Sequence, residues 1–286
     1  MRTHIFIPCP LCGKDNSRKI YSNHEIQVVR CRECGFRYQN PRSKNLIDRN
    51  RINQKEYYQK EYLAAVAPHK KLFEEKFDEF MSGRNPGRVL DVGCATGQFL
   101  DVAKDRGWQA VGIDVSKWAC NYLTERGFPD IYNCTLEEAR FADNSFDVVH
   151  MNHVLEHIPA PSTFLGEVHR ILKPKGLTII EVPNEALFPF NYRIINFLLP
   201  ENKPPRKHPK SHLSLFTKNT LKKILWVNNL NLISIRVEGF AAASRAATPV
   251  FNNKTLLVRC ALRLCSLRLD VILGLGRYIV AAAGKF

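Results

Sequence analysis

Two C-x-x-C-G pairs stand near the start of the chain, Cys9-Pro-Leu-Cys12-Gly and Cys31-Arg-Glu-Cys34-Gly. Each pair can set two thiolates against one tetrahedral metal ion, and the glycine permits the tight turn that follows. A redox C-x-x-C needs one pair at the start of a helix. Two pairs, with 18 residues between Cys12 and Cys31, offer a closed four-sulfur shell. Cys9, Cys12, Cys31 and Cys34 are therefore expected to hold a structural zinc ion with no open catalytic position.

A second constellation begins at Arg88-Val-Leu-Asp91-Val-Gly93-Cys94-Ala95-Thr-Gly97. An apolar strand runs into Asp91, a glycine turn follows, and Gln98-Phe-Leu-Asp-Val-Ala-Lys opens a helix. Glycines at the carboxyl end of a parallel strand let backbone approach a ligand, and the next helix offers free N–H groups. A dinucleotide loop would read G-x-G-x-x-G, and a phosphate loop would end in Gly-Lys-Ser/Thr. The spacing G-x-x-x-G, with an acid two positions ahead and no lysine behind, points to a nucleoside ligand lacking a pyrophosphate. About twenty residues on, Ala110-Val-Gly-Ile-Asp114 ends in a carboxylate placed to bind the two hydroxyls of a ribose.

These groups need strands and helices to aim them. Apolar patterning predicts strands near 88–92, 109–113, 130–133, 146–151 and 177–182, and helices near 97–106, 116–126, 161–172 and 217–229. The alternation predicts an α/β fold, a parallel sheet with helices on both faces and ligands beyond the carboxyl ends of its strands. Asn231–Glu238 reads as a sixth strand. Upstream, Ile26–Cys31 reads as a strand between the cysteine pairs, so that unit resembles a zinc ribbon ending near Asn40-Pro41-Arg42. Residues 43–85 read as amphipathic helices, Glu56–Leu63 and Lys70–Phe80. The second carries Leu72, Phe73, Phe77 and Phe80 near one face, expected to pack against the main domain.

Together, Val89–Gly97, Asp114, Phe146-Asp-Val-Val-His-Met-Asn-His-Val-Leu-Glu-His157 and Leu172-Lys-Pro-Lys-Gly-Leu resemble a class I S-adenosylmethionine-dependent methyltransferase over residues 88–240. The resemblance implies a Rossmann-like seven-stranded sheet, with Arg277–Lys285 as an antiparallel seventh strand. It implies that Asp91, Gly93, Cys94, Ala95 and Gly97 cradle the methionine part of the cofactor. Asp114 and Val115 would hold the ribose, and Thr135 and Leu136 would stand where an aspartate often meets the adenine. Asn152 would line the cofactor beyond the fourth strand. Acid–base candidates are His153, Glu156, His157, His208 and His212. His153 and His212 are the expected catalytic pair, and Glu156–His157 is expected to be structural.

The expected organisation is a zinc ribbon over 1–42, a helical linker or cap over 43–85, and the methyltransferase domain over 86–286. That domain includes an acceptor-side insertion, 184–216, and an apolar helix, 254–275. The insertion joins Phe188, Phe190, Tyr192 and Phe197 to a basic, proline-rich run, 204–212. Ribbon-bearing relatives of this kind methylate sugars, polysaccharide intermediates or ribosomal RNA. The resemblance therefore implies a small-molecule or glycan acceptor, lipid- or nucleotide-linked, with an RNA methyltransferase as the alternative. A non-enzymatic cofactor-binding protein is disfavoured by the intact Asp91, Gly93, Gly97 and Asp114.

Charge bears on the acceptor. Basic residues outnumber acidic ones 18 to 10 over 1–88, trail 8 to 13 over 89–183, and lead 16 to 4 over 184–286. The glycine loop lies in the one acidic third, while the basic ends suit phosphate-rich partners such as RNA, anionic lipid or nucleotide-linked substrates. A solvated basic surface is the plainer account of the same excess. No charge-free run nears the roughly 20 apolar residues that span a bilayer. The polar start and the cysteine usage fit a cytoplasmic protein. The apolar helix must meet the protein's own core, a second copy in a homodimer, or the inner membrane face as a peripheral contact.

Overall fold

A computed structural model describes residues 4–43, 66–190, 210–238 and 277–286. The expected helix Glu56–Leu63, the run from Tyr192 through His208, and the apolar helix 254–275 lie outside the described residues.

The ribbon consists of β1 (His4–Ile5), β2 (Ser17–Ser22), β3 (Gln27–Cys31), β4 (Arg37–Gln39) and β5 (Arg42–Ser43). Helix α1 (Val66–Met81) follows. The main domain then alternates β6 (Arg88–Val92), α2 (Gln98–Asp105), β7 (Gln109–Ile113), α3 (Lys117–Glu125), β8 (Ile131–Tyr132), α4 (Leu136–Ala139), β9 (Phe146–Asn152), α5 (Pro161–Ile171) and β10 (Leu172–Pro183). A 3₁₀ turn, Leu155–His157, interrupts the β9–α5 connection. The chain closes with β11 (Ser214–Leu215), α6 (Lys218–Val227), β12 (Asn231–Glu238) and β13 (Tyr278–Gly284).

The central sheet has seven strands in the order β12-β13-β10-β9-β6-β7-β8. Strands β8, β7, β6, β9 and β10 are parallel neighbours, and β13 runs antiparallel between β10 and β12. The order reverses between β6 and β9, which opens a ligand crevice at the carboxyl ends of those strands. A central parallel strand is covered on both faces, and Val89, Leu90 and Val92 of β6 are all buried. Helix α2 buries Phe99, Leu100, Val102 and Ala103, the repeat of an amphipathic helix on a sheet. Phe77 of α1 joins Val89, Phe99 and Trp108 in one apolar cluster, with Phe73 and Phe80 beside it.

The predicted strands and helices of the main domain stand within a few residues of their expected places, and β10 begins earlier. The strand expected over 177–182 is longer, because the ladder to β9 starts at Leu172↔Phe146, shifts, and resumes at Leu177↔Val148.

The ribbon sheet takes a strand from the distant part of the chain. Its order is β11-β4-β3-β2, with Ser214↔Tyr38 and Leu215↔Arg37 in antiparallel register. Phe36 packs on Phe216 with ring centroids 5.3 Å apart. Cys9, Leu11, Phe36 and Tyr38 share one buried cluster with Leu221, Ile224 and Leu225 of α6. The ribbon is thus packed into the main core.

Candidate functional site

At the end of β6 the chain turns through Gly93 (φ 72°), Ala95 (φ 48°) and Gly97 (φ 83°). A Cβ on Gly97 would stand 2.4 Å from Leu123 Cδ2, and one on Gly93 would stand 2.6 Å from Val154 Cγ2. Both positions therefore demand glycine for backbone conformation and for space. Gly97→Ala is expected to cost at least the 1–2 kcal/mol that a left-handed conformation costs an ordinary residue, about as much again for the clash, and cofactor affinity with it. Urea unfolding of the variant checks the first part.

Asp114 ties this loop to the next strand. Ala95 N donates to Asp114 Oδ2 at 3.0 Å, and Ser116 N donates to Asp114 Oδ1 at 2.7 Å. Gly93 N and Cys94 N both donate to Ile113 O. Asp91 lies beneath the loop, buried, with Oδ1 2.7 Å from His150 Nδ1. The His150 ring stacks on Phe99 at 3.7 Å. Asp91 thus braces β6 against β9 and α2.

The other expected cofactor residues are spread around this loop. Cys94 is buried, and burial, followed by the Asp114 and Asp91 charges, holds its thiol well above the ordinary range. Val115 is exposed at the start of α3. Thr135 caps α4 in a reciprocal arrangement with Glu138. The Leu136 side chain lies in the main core, so only its backbone remains for a ligand. Asn152 sits one residue past the Val92↔Met151 register, beside Gly93. Its Oδ1 is buried and has no hydrogen-bond partner among the described residues, as are Thr96 Oγ1 and Gln98 Nε2. Thr96 and Gln98 had no place in the motif reading, because their types carry no signature. A buried polar atom without a partner costs about 1–3 kcal/mol. Three such atoms cluster around this one left-handed loop. With the Asp114 carboxylate and no basic side chain in the loop, they fit an S-adenosyl group and oppose a pyrophosphate.

Beyond β9 the backbone turns at His153 (φ 55°). His153 Nδ1 lies 3.2 Å from Glu156 Oε1, and Nε2 lies 3.5 Å from Glu181 Oε1. Burial pulls the imidazole pKa down, but the Glu156 and Glu181 carboxylates outweigh it and push it up to about 9. Glu181 is itself buried. Burial raises its pKa, yet Lys76 and His153 together bring it down to about 2. Lys76 reaches in from α1 to Glu181, and its ammonium is 3.4 Å from Glu238. A buried chain of charges thus links α1 to the 3₁₀ turn after β9.

The sign of the His153 shift gives a pH dependence. A raised folded-state pKa stabilises fully below the ordinary value of 6.5 and is lost as pH rises through about 9. Denaturant titrations at pH 6.5 and 9.5 are expected to show a loss of about 1–2 kcal/mol from this source, discounted because a third of the side chain reaches solvent. The loss should be absent in His153→Gln.

Glu156 is the hub of this end of the site. It is almost wholly buried, and its backbone oxygen accepts from Leu213 N at 2.8 Å. Its Oε2 has no hydrogen-bond partner among the described residues. His157 donates from Nδ1 to Ser211 O at 2.9 Å, and its ring lies 4.9 Å from that of His212. Side-chain atoms of Glu156, His157 and His212 all lie within 4.8 Å of one another. The structure therefore brings His153 and His212 to the same carboxylate, although they are far apart in sequence. His208 lies outside the described residues.

The four ribbon cysteines also converge, as free thiols, with their sulfurs within 4.8 Å of one another. Cys9 and Cys34 sulfurs are 3.5 Å apart, and those of Cys12 and Cys31 are 3.6 Å apart. Gly13 N donates back to Cys9 O, and Gly35 N to Cys31 O, so both pairs form the same knuckle. Among the described residues no helix is long and apolar enough to cross a membrane.

The sheet order and the glycine loop tied to an acid after β7 define a class I S-adenosylmethionine-dependent methyltransferase fold. A family model described as a methyltransferase domain matches residues 58–235, and the chain belongs to that family. The chain is 33% identical over 112 residues to a ubiquinone biosynthesis O-methyltransferase of Bradyrhizobium sp. (strain ORS 278), covering 38% of this chain and 44% of that protein. The chain spans about half the length of the curated relatives it matches. Among solved structures, the 1,6-didemethyltoxoflavin-N1-methyltransferase of Burkholderia thailandensis superposes with a TM-score of 0.56 at 16% identity, covering 94% of this chain and 99% of that one. A SAM-dependent methyltransferase from Archaeoglobus fulgidus gives a TM-score of 0.51 at 22% identity, over 76% of this chain and 94% of that one. These two likenesses concern the fold.

Proposed function

We propose that the protein transfers a methyl group from S-adenosylmethionine to an oxygen or carbon of a small organic acceptor, of the class that includes sugars and lipid- or nucleotide-linked glycan intermediates. The observation that carries this reading is the Ala95–Asp114 clasp with the unpartnered Thr96, Gln98 and Asn152 around it. Gly93–Gly97 cradle the methionine part, Asp114 and Val115 hold the ribose, and the backbone at Thr135–Leu136 borders the adenine. The name of the Bradyrhizobium relative supports a small acceptor methylated at oxygen.

When bound, the cofactor supplies an electrophilic methyl carbon, so alignment is the protein's main task. An oxygen acceptor must also lose its proton. In this reading His212, half-buried beside His157 and Glu156, takes it. The Glu156 carboxylate behind the two rings stabilises the imidazolium that results. His153, held between two carboxylates as an imidazolium, is a poor base at neutral pH and instead fixes Glu156. Cys9, Cys12, Cys31 and Cys34 hold one zinc ion with no open coordination position, in a structural role.

Incubating the protein with S-adenosylmethionine and extracted metabolite, glycan and RNA fractions tests the acceptor class. A mass gain of one methylene equivalent in the metabolite or glycan fraction is expected. A gain confined to RNA would replace this reading with RNA methylation.

A further inference from the structure

Away from the cofactor loop, a solvent-open pocket of about 580 Å³ lies between the ribbon and helix α6. Strands β3 and β4 bring Arg30 and Arg37 to it, and α6 brings Lys222 and Lys223, with Asn219 and Thr220 of its first turn. No acidic side chain lines it among the described residues. Arg30 lies across Gly35, where an added Cβ would stand 3.6 Å from Arg30 Nη2.

The four cations are not equally engaged. Arg37 Nη1 donates to the backbone oxygens of Glu185 and Phe188, so that side chain is structural. Lys223 Nζ donates to Cys34 O at 3.3 Å. Arg30 and Lys222 are exposed, and neither has an ion pair or side-chain hydrogen bond among the described residues. Burial first, and then the Arg30 charge, pulls Arg37 below its ordinary pKa, with Glu185 acting the other way. The two guanidiniums therefore repel each other across the cavity wall. Concentrated positive charge in a concave site, with two cations uncommitted, is complementary to a multivalent anion. Arginine suits phosphate by its planar pair of donors, and the Asn219 amide can add a neutral hydrogen bond.

We propose that this cavity binds the diphosphate of a phosphate-bearing small molecule. If that molecule is the methyl acceptor, the cavity anchors the end of it remote from the reacting atom. That extension rests on the proposed function, whereas the binding itself does not. The cavity is built partly on the ribbon, which gives the cysteine-held unit a direct part in ligand recognition.

Calorimetric titration of the metal-loaded full chain with inorganic pyrophosphate tests the proposal, with S-adenosylhomocysteine titrated separately into each protein. One pyrophosphate per chain is expected. The double variant Arg30→Ala, Lys222→Ala should lose at least tenfold in pyrophosphate affinity, with S-adenosylhomocysteine affinity unchanged as proof of an intact fold. Lys71→Ala, an exposed cation on α1, should bind pyrophosphate like the wild type. Anionic phospholipid vesicles form a second arm. Vesicle binding without pyrophosphate binding would overturn the proposal, as would equal pyrophosphate affinity in wild type and double variant. Pyrophosphate binding with no S-adenosylhomocysteine binding would leave the cavity assigned and overturn the cofactor assignment instead.

Discussion

Replacing Asp114 with alanine is expected to weaken S-adenosylhomocysteine binding by a hundredfold or more while leaving the chain folded. The carboxylate does two things. It accepts from Ala95 N and Ser116 N, which holds the glycine loop against the start of α3. In the proposed complex it also accepts from the ribose hydroxyls. Hydrogen bonds to charged groups contribute about 1.5–3 kcal/mol each, and every 1.4 kcal/mol is about tenfold in affinity. Losing the ribose contacts and the loop clasp together therefore exceeds the effect of either. Asp114→Asn should sit between the two, because the amide oxygen can replace one acceptor but carries no charge. Calorimetric titration with S-adenosylhomocysteine checks the series. Wild-type affinity in Asp114→Ala would contradict the ribose assignment.

The second large effect is expected at the ribbon. Removing the metal, or changing Cys31 to serine, should unfold more than the ribbon itself. Four sulfurs within 4.8 Å of one another are stable neighbours as thiolates only with a cation between them. A structural zinc site contributes about 10–16 kcal/mol of binding free energy that is also folding free energy. In this chain that energy is expected to couple to the main domain. Cys9 and Cys31 share a buried cluster with Phe216, Leu221 and Ile224, and β4 pairs with β11. Chelation is therefore expected to lower the melting temperature of the whole cooperative transition by 10 °C or more. Elemental analysis should find one zinc per chain in the wild type and none in Cys31→Ser. A melting curve indifferent to chelator would contradict a structural metal.

Much of the fold was legible in the chain. The inner parallel strands announced themselves because strands covered on both faces are short, largely apolar runs, as in Arg88-Val-Leu-Asp-Val and Phe146-Asp-Val-Val-His-Met-Asn. The glycine loop was legible because its conformation admits little else at Gly93 and Gly97. What escaped depends on contacts between distant residues. Strand β11 has two residues, too few for any periodicity, and it exists because Tyr38 and Arg37 offer a free edge. The line from Lys76 through Glu181 to His153 joins α1, β10 and the turn after β9, and no local pattern predicts three such partners. Asp91 illustrates the same limit. Its motif speaks of a ligand, while its side chain is engaged by His150 on the neighbouring strand. At Thr135 the residue type suits both a ligand contact and a helix cap, and the structure uses it as the cap.

The pairing of His153 and His212 around Glu156 was likewise beyond sequence spacing. Both histidines stood out by type. Their roles separate only in three dimensions, where two carboxylates hold His153 as a cation and His212 faces His157. The fold, shared with the solved methyltransferases, supplies the crevice, and in the proposed reading these particular side chains supply the chemistry within it.

Gly93–Gly97 and Asp114 are the proposed cofactor cradle. A crystal structure of the chain grown with S-adenosylhomocysteine tests it most directly. The homocysteine portion is expected over Gly93–Gly97 and both ribose hydroxyls on the Asp114 carboxylate, with Asn152, Thr96 or Gln98 taking up hydrogen bonds to the ligand. Ligand bound elsewhere on the sheet, or an Asp114 carboxylate without ribose contact in a loaded crystal, would contradict it.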